Sequence, residues 1–231
     1  DTSDDGFVAE SIYASENVVG GMGVVINSDG SMDAWEFLTE FDENWNEILR
    51  LDYFNRYDQN GNLISTEPFK EIFDIPEDSY IGLFDKDALG NYVIGGTGET
   101  IKVYSSDFNK IGEIEKSEQV VQLCLNDAGT MVGSFISEKG EFIVVPIDTQ
   151  QLKMGEEIVL EKSQGSTLIW PGPDNLIFYE NGSCIYSCDV YTGEQIKLFD
   201  CADIDLNVDC INNIFFLDES RFLLHYHDYI S

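Results

Sequence analysis

The residues able to do chemistry at short spacing are few in this 231-residue chain. In "HYHD", His225 and His227 stand two apart, so on a strand they share one face. Such a pair holds zinc or copper only when a further ligand joins it. These are the only 2 histidines, so a carboxylate or cysteine would have to serve, and a structural pair on a terminal strand is expected instead. "DQNGN" (Asp58, Asn60, Asn62) resembles a calcium loop, but its glycine falls at the fourth position and no glutamate stands at the twelfth. A hairpin turn accounts for it better. Acids concentrate in two other stretches: "DIPED" with Asp74, Glu77 and Asp78, and "DCADIDLNVDC" with Asp200, Asp203, Asp205 and Asp209. Carboxylates gathered at one place are what a calcium ion or an amine requires.

Other chemistry is missing. "GGTGET" follows one strand-like run and precedes another, so it lacks the helix start a phosphate loop needs. No serine sits in a G-x-S-x-G elbow. No catalytic residue is nominated, and a non-enzyme is expected.

The elements that would carry these residues repeat. "YIGLFDKDALGNYVIGG", "VVQLCLNDAGTMVGSF", "TLIWPGPDNLIFYENG" and "NIFFLDESRFLLHYHD" all read strand, tight turn, strand, with a looser copy in "GVVINSDGSMDAWEFL". Their turns, at Gly30, Gly90, Gly129, Asn175 and Ser220, are spaced by about 60, 39, 46 and 45 residues. A period of 40–50 residues with several short strands each is the mark of a β-propeller. A second set of Asp, Asn and Gly clusters ("YDQNGNLI", "SSDFNKIG", "IDTQQLKMG", "DVYTGEQI") supplies hairpin turns between third and fourth strands. The fold class expected is all-β, a propeller-like array of about five four-stranded blades. The last is truncated, and "GFVAESIYA" (6–14) is placed to close it. Residues 1–231 are read as one domain, with 1–6 disordered or a linker and the chain a piece of a longer protein. "EPFKEIFDIPEDS" is the best helix candidate, held to a turn or two by Pro76.

Blade-to-blade connections emerge on one face, so Asp74, Glu77, Asp78, Asp203, Asp205 and Asp209 form a candidate acidic face at the channel mouth. No cofactor is expected, calcium being the one such a face would take. The innermost strands carry only Asp85 and Asp218, at strand ends, as carboxylates. A glycosidase needs two that converge, so a polysaccharide hydrolase or lyase is the alternative reading only. Trp35, Trp45 and Trp170 are expected to pack inside blades rather than to serve as sugar platforms.

Composition narrows the partners. Lys and Arg number 12 against 44 Asp and Glu, a formal charge of -32. Phosphate backbones and anionic lipids would be repelled, which excludes nucleic acid. No apolar run approaches the roughly 20 residues of a membrane helix. The 5 cysteines match no zinc spacing. Cys184 and Cys188 lie about 13 Å apart along a strand, too far to pair, while Cys201 and Cys210 flank a loop that a disulfide could close.

The succession "VVQLCLNDAGTMVGSF" and "DVYTGEQIKLFDCADIDLNVDCINNIFFLDESRFLLHYHD" resembles the propeller-like N-terminal region of secreted Firmicutes lipoproteins that carry an extracellular solute-binding domain of the ABC-importer type. The resemblance implies an extracellular or cell-surface module for recognition or scaffolding. Its implied partners are an adjacent solute-binding domain or another protein, and a glycan. It supplies no ligand motif, and this chain begins without a lipid-bearing cysteine.

Overall fold

The structure is a computed structural model that describes residues 18–76, 79, 81–95, 100–115, 120–137, 139–161, 168–204, 210–218 and 221–227. The chain is all-β, built as a propeller-like series of antiparallel sheets, and divides into two compact units between Ile75 and Pro76. The closing strand expected at 6–14 lies outside the described residues.

The first unit is a four-stranded meander of β1 (Val18–Ile26), β2 (Met32–Phe41), β3 (Glu47–Tyr57) and β4 (Leu63–Pro68). A single helical turn, α1 (Phe69–Ile72), follows, and Phe69 and Phe73 bring their rings onto Phe54 at centroid distances of 6.3 and 5.7 Å. Trp35 donates from Nε1 to Asp52 (3.0 Å), a carboxylate that also faces Arg50 at 3.2 Å and Lys70 at 3.6 Å.

The second unit repeats this plan. Its sheets are β5 (Leu83–Lys86) to β6 (Tyr92–Gly95), β7 (Thr100–Tyr104) and β8 (Lys110–Glu115); then β9 (Val120–Leu125), β10 (Met131–Ile136), β11 (Phe142–Asp148), β12 (Lys153–Met154) and β13 (Ile158–Val159). Next come β14 (Ile169–Pro171), β15 (Leu176–Asn181), β16 (Cys184–Asp189) and β17 (Gln195–Asp200), and the pair β18 (Cys210–Asp218) and β19 (Arg221–His227). First strands lie side by side, β5 with β9, β9 with β14, and β14 with β18.

Period-two alternation sends each sheet's two faces into different cores. Val93, Ile101 and Val103 of one blade meet Met131, Phe135 and Val145 of the next. The other face of that next blade, through Val132 and Val144, packs on Ile169, Ile177 and Tyr179. Trp170, Phe178 and Ile185 continue onto Ile214 of β18. Each such aliphatic side chain removed from water contributes about 1.5–3 kcal/mol before ordering entropy is subtracted.

In the third sheet the place of the fourth strand is taken by two short pieces, β12 and β13, each paired to β11. Between them Gly155 crowds Pro146, whose Cγ lies 2.6 Å from where a Cβ would stand, and the strand breaks there. Trp35 and Trp170 are buried as expected, but Trp45 is 66% exposed at a hairpin tip.

Candidate functional site

The hairpins of both units share one recurring device. In Asp42–Asn46, Asp58–Asn62 and Asp87–Asn91, the aspartate Oδ1 accepts two backbone N–H bonds of its own turn and Oδ2 accepts the asparagine side chain. The residue before the asparagine takes a left-handed conformation, with φ 62 at Trp45, 79 at Gly61 and 83 at Gly90. "DQNGN" is therefore a capped hairpin turn, with its carboxylate spent on its own loop. Asp148 and Asp189 cap their turns in a related way, each Oδ1 accepting two backbone N–H groups.

In the second unit these turns enclose a crevice of about 400 Å³. Pro146, Ile147 and Met154 give it an apolar floor. Its walls are polar: Thr130 and Tyr191 share a hydrogen bond of 3.1 Å between hydroxyls, and exposed Gln150, Gln151 and Lys153 complete the rim. Lys153 Nζ approaches Gln151 Oε1 at 3.5 Å. Tyr191, 61% exposed, comes from the next blade, so the crevice exists only where two blades meet. Thr149, also in the lining, donates from Oγ1 to Asp87 at 2.6 Å and anchors the wall to the preceding blade.

The electrostatics are unusual for this chain. Among the described residues one carboxylate, Asp148, lines the crevice, and its Oδ1 is occupied by the backbone N–H groups of Gln150 and Gln151. One cation, Lys153, accompanies it. A near-neutral cleft with hydroxyls, carboxamides, an aromatic ring and an apolar floor suits an uncharged polyhydroxylated ligand.

Of the sequence-predicted acids, Asp74 is exposed with φ 47, next to Phe73, the C-cap of α1, and Asp203 is exposed on the 3-10 turn Cys201–Ile204. Glu77, Asp78, Asp205 and Asp209 lie outside the described residues. Asp200, beside this stretch, is engaged: it accepts from Ser183 Oγ (2.6 Å), Cys184 Sγ (3.1 Å) and Lys197 Nζ (3.0 Å), and these hydrogen bonds hold its carboxyl well below the usual range. No group of three or more metal-ligating side chains occurs among the described residues. His225 and His227 both lie on β19, in register with Asn213 and Cys210. Cys184 and Cys188 are free thiols, as their spacing predicts.

Asp85, at the end of first strand β5, stands apart. Burial pushes its carboxyl up to about 6, against a lowering hydrogen bond from the Lys86 backbone N–H at 2.7 Å. Sequence reasoning missed the crevice, whose residues are unremarkable in type and come from distant turns. It also missed the tie between blades made by Gln122, whose side-chain amide donates to Ile169 O (2.8 Å) and accepts from Ile169 N (2.7 Å). That carboxamide occupies the free edge of β14 as a strand would. A lone Gln in an otherwise apolar first strand was the available signal.

No helix among the described residues is long and apolar enough to cross a membrane. No family model matches the chain. No curated protein matches it either. Among solved structures it is similar to the hydrazine synthase of Kuenenia stuttgartiensis, at 11% identity and a TM-score of 0.48, over 84% of this chain and 69% of that one. It is also similar to apo AztD from Citrobacter koseri, at 10% and 0.44 over 76% and 58%. A Bacteroides caccae protein of unknown function gives 11% and 0.39 over 72% and 69%. At these identities and TM-scores, the likenesses assign no activity to this chain.

Proposed function

We propose that the chain is a non-catalytic extracellular recognition module that binds a neutral glycan in the crevice between Thr130, Lys153 and Tyr191. One observation carries this reading: in a chain of charge -32, the crevice is lined by hydroxyls, carboxamides and an aromatic ring, with one Lys and one already capped Asp. Extracellular placement and attachment to a solute-binding lipoprotein rest on the resemblance of the strand-turn phrases alone. Titration calorimetry with a panel of neutral and anionic oligosaccharides tests the site. A neutral glycan should bind, and Tyr191→Ala should weaken it at least tenfold by removing the stacking surface. Binding that survives Tyr191→Ala and Gln151→Ala together would overturn the assignment.

The second reading, a polysaccharide hydrolase or lyase, draws on Asp85, whose carboxyl near 6 would suit a general acid. New reducing ends released from the same glycan panel by the wild type, and lost in Asp85→Asn, would favour it over pure binding.

A further inference from the structure

In the first unit, the sheet face turned away from α1 holds more hydrogen-bond acceptors than donors. Register pairs Met32 with Tyr57, Ala34 with Asn55 and Glu36 with Tyr53 across β2 and β3, while Val24 and Met22 of β1 lie beside Ala34 and Glu36. Alternation puts all of these on one side, opposite Trp35 and Phe54, whose rings meet Phe69 of α1. Tyr57 donates from its hydroxyl to Glu36 Oε1 at 2.6 Å, so its ring crosses the Ala34–Asn55 pair that lies between the two. Asn55 is accordingly 5% exposed. Its Oδ1 is buried and accepts no hydrogen bond. Buried acceptors are almost always satisfied, so an orphan of this kind marks a missing donor.

Charge says what kind of donor is missing. Arg50 and Arg56 face Asp52 and Asp33 on the α1 side, so among the described residues Glu36 has no cation beside it. Burial and the bond to Glu36 push the Tyr57 phenol up to about 12, which keeps it a neutral donor. An ammonium offers three N–H donors and no acceptor, enough for Glu36, for Asn55 Oδ1 and for solvent. A calcium ion would need six to eight oxygens, more than this face supplies. Tyr53, 36% exposed, and Tyr57 offer ring faces to a cation. Met22 and Val24, 56% and 46% exposed, give an alkyl chain an apolar track. We infer that this face binds a primary alkylammonium group, seated between Glu36 and Asn55 and walled by Tyr53 and Tyr57. The half-buried Tyr57 ring turns aside to admit it, and the ammonium takes over the Glu36 oxygen that the hydroxyl holds. The site lies wholly in the first unit, and the inference stands without the crevice of the second.

The test titrates the whole, nitrogen-labelled chain with n-butylammonium, n-butyltrimethylammonium and n-butanol at physiological ionic strength, followed by nuclear magnetic resonance. The three probes share an alkyl chain and the first two share a charge, but only the first carries ammonium N–H donors. Butylammonium should shift the Asn55 side-chain amide signals to saturation. The trimethyl analogue should bind at least tenfold more weakly, and butanol should not bind. Glu36→Gln and Asn55→Leu should each weaken butylammonium binding at least tenfold, and Tyr57→Phe should tighten it by freeing Glu36. Glu43→Gln, an exposed carboxylate of the β2–β3 hairpin, should leave it unchanged. If Asn55→Leu loses its dispersed spectrum, Glu36→Gln decides. Equal affinity for the trimethyl analogue, or equal loss in Glu43→Gln, would trace binding to the overall charge of the chain and overturn the inference. So would the absence of a saturable shift, which would leave a bound water as the partner of Asn55.

Discussion

Thr149 Oγ1 donates to Asp87 Oδ2 across 2.6 Å, joining the turn after β11 to the first turn of the preceding blade. One blade further on, the same positions hold Val190 and Asn126. Val190 is buried and offers no acceptor side chain, and Asn126 Nδ2 is buried without a hydrogen-bond partner. An unmet buried donor costs about 1–3 kcal/mol. Val190→Thr, nearly isosteric, should stabilise the chain by about 1 kcal/mol in a urea titration. Thr149→Val should lose a similar amount. If Val190→Thr is neutral in the wild type and also beside Asn126→Ala, the repeat of this tie has no energetic meaning.

Gly90 isolates the price of backbone handedness. It holds φ 83, and a Cβ there would meet nothing within 4 Å. Gly90→Ala should therefore cost about 1 kcal/mol from conformation alone, and Gly90→Asn less, because asparagine tolerates the left-handed region. Thermal unfolding of the three proteins checks the ranking. Equal melting temperatures would mean that the turn relaxes out of that conformation.

These turns explain why so much of the fold was legible. A hairpin that places Asp at its start, glycine at the left-handed position and Asn next, as in "DALGN", writes its geometry in adjacent letters. The blade period follows from counting such turns. The crevice was not legible, because Thr130 and Tyr191 meet only through packing of two blades and neither stands out by type. The acids did stand out by type, yet Asp58, Asp87, Asp148 and Asp200 are consumed by local hydrogen bonds. In a chain this acidic, composition draws attention to carboxylates whose work is to close turns.

Asp52 should be the most sensitive polar residue of the first unit. Its side chain is 2% exposed, and it faces Arg50 and Lys70, whose side chains are 10% and 11% exposed. Removing it leaves two cations with little water and orphans the Trp35 indole N–H. Asp52→Ala should destabilise the unit by about 3–5 kcal/mol. The Lys70→Met and Asp52→Asn pair should lose much less, since Asn still accepts from Trp35 and one cation is gone. Denaturant melts followed by tryptophan fluorescence measure both. A loss below about 1 kcal/mol for Asp52→Ala would show that the cluster is solvated rather than buried.

Asp85 sets a pH dependence of a definite sign. Its folded carboxyl titrates at about 6, above the ordinary 3.8, because burial disfavours the anion. Between those values the folded state holds a proton that the unfolded chain has released. The stabilising contribution is therefore complete below about pH 4 and is lost as pH rises through about 6. At pH 7 the buried anion costs roughly 2–3 kcal/mol. Asp85→Asn keeps an acceptor for the Lys86 N–H without the charge, and should be more stable than the wild type by about that amount at pH 7. Near pH 4 the two proteins should converge. Other carboxylates titrate in the same window, so the quantity to follow is the difference between the two chemical-denaturation curves. A difference that stays flat from pH 4 to 7 would place Asp85 in contact with water and remove its claim to act as a general acid.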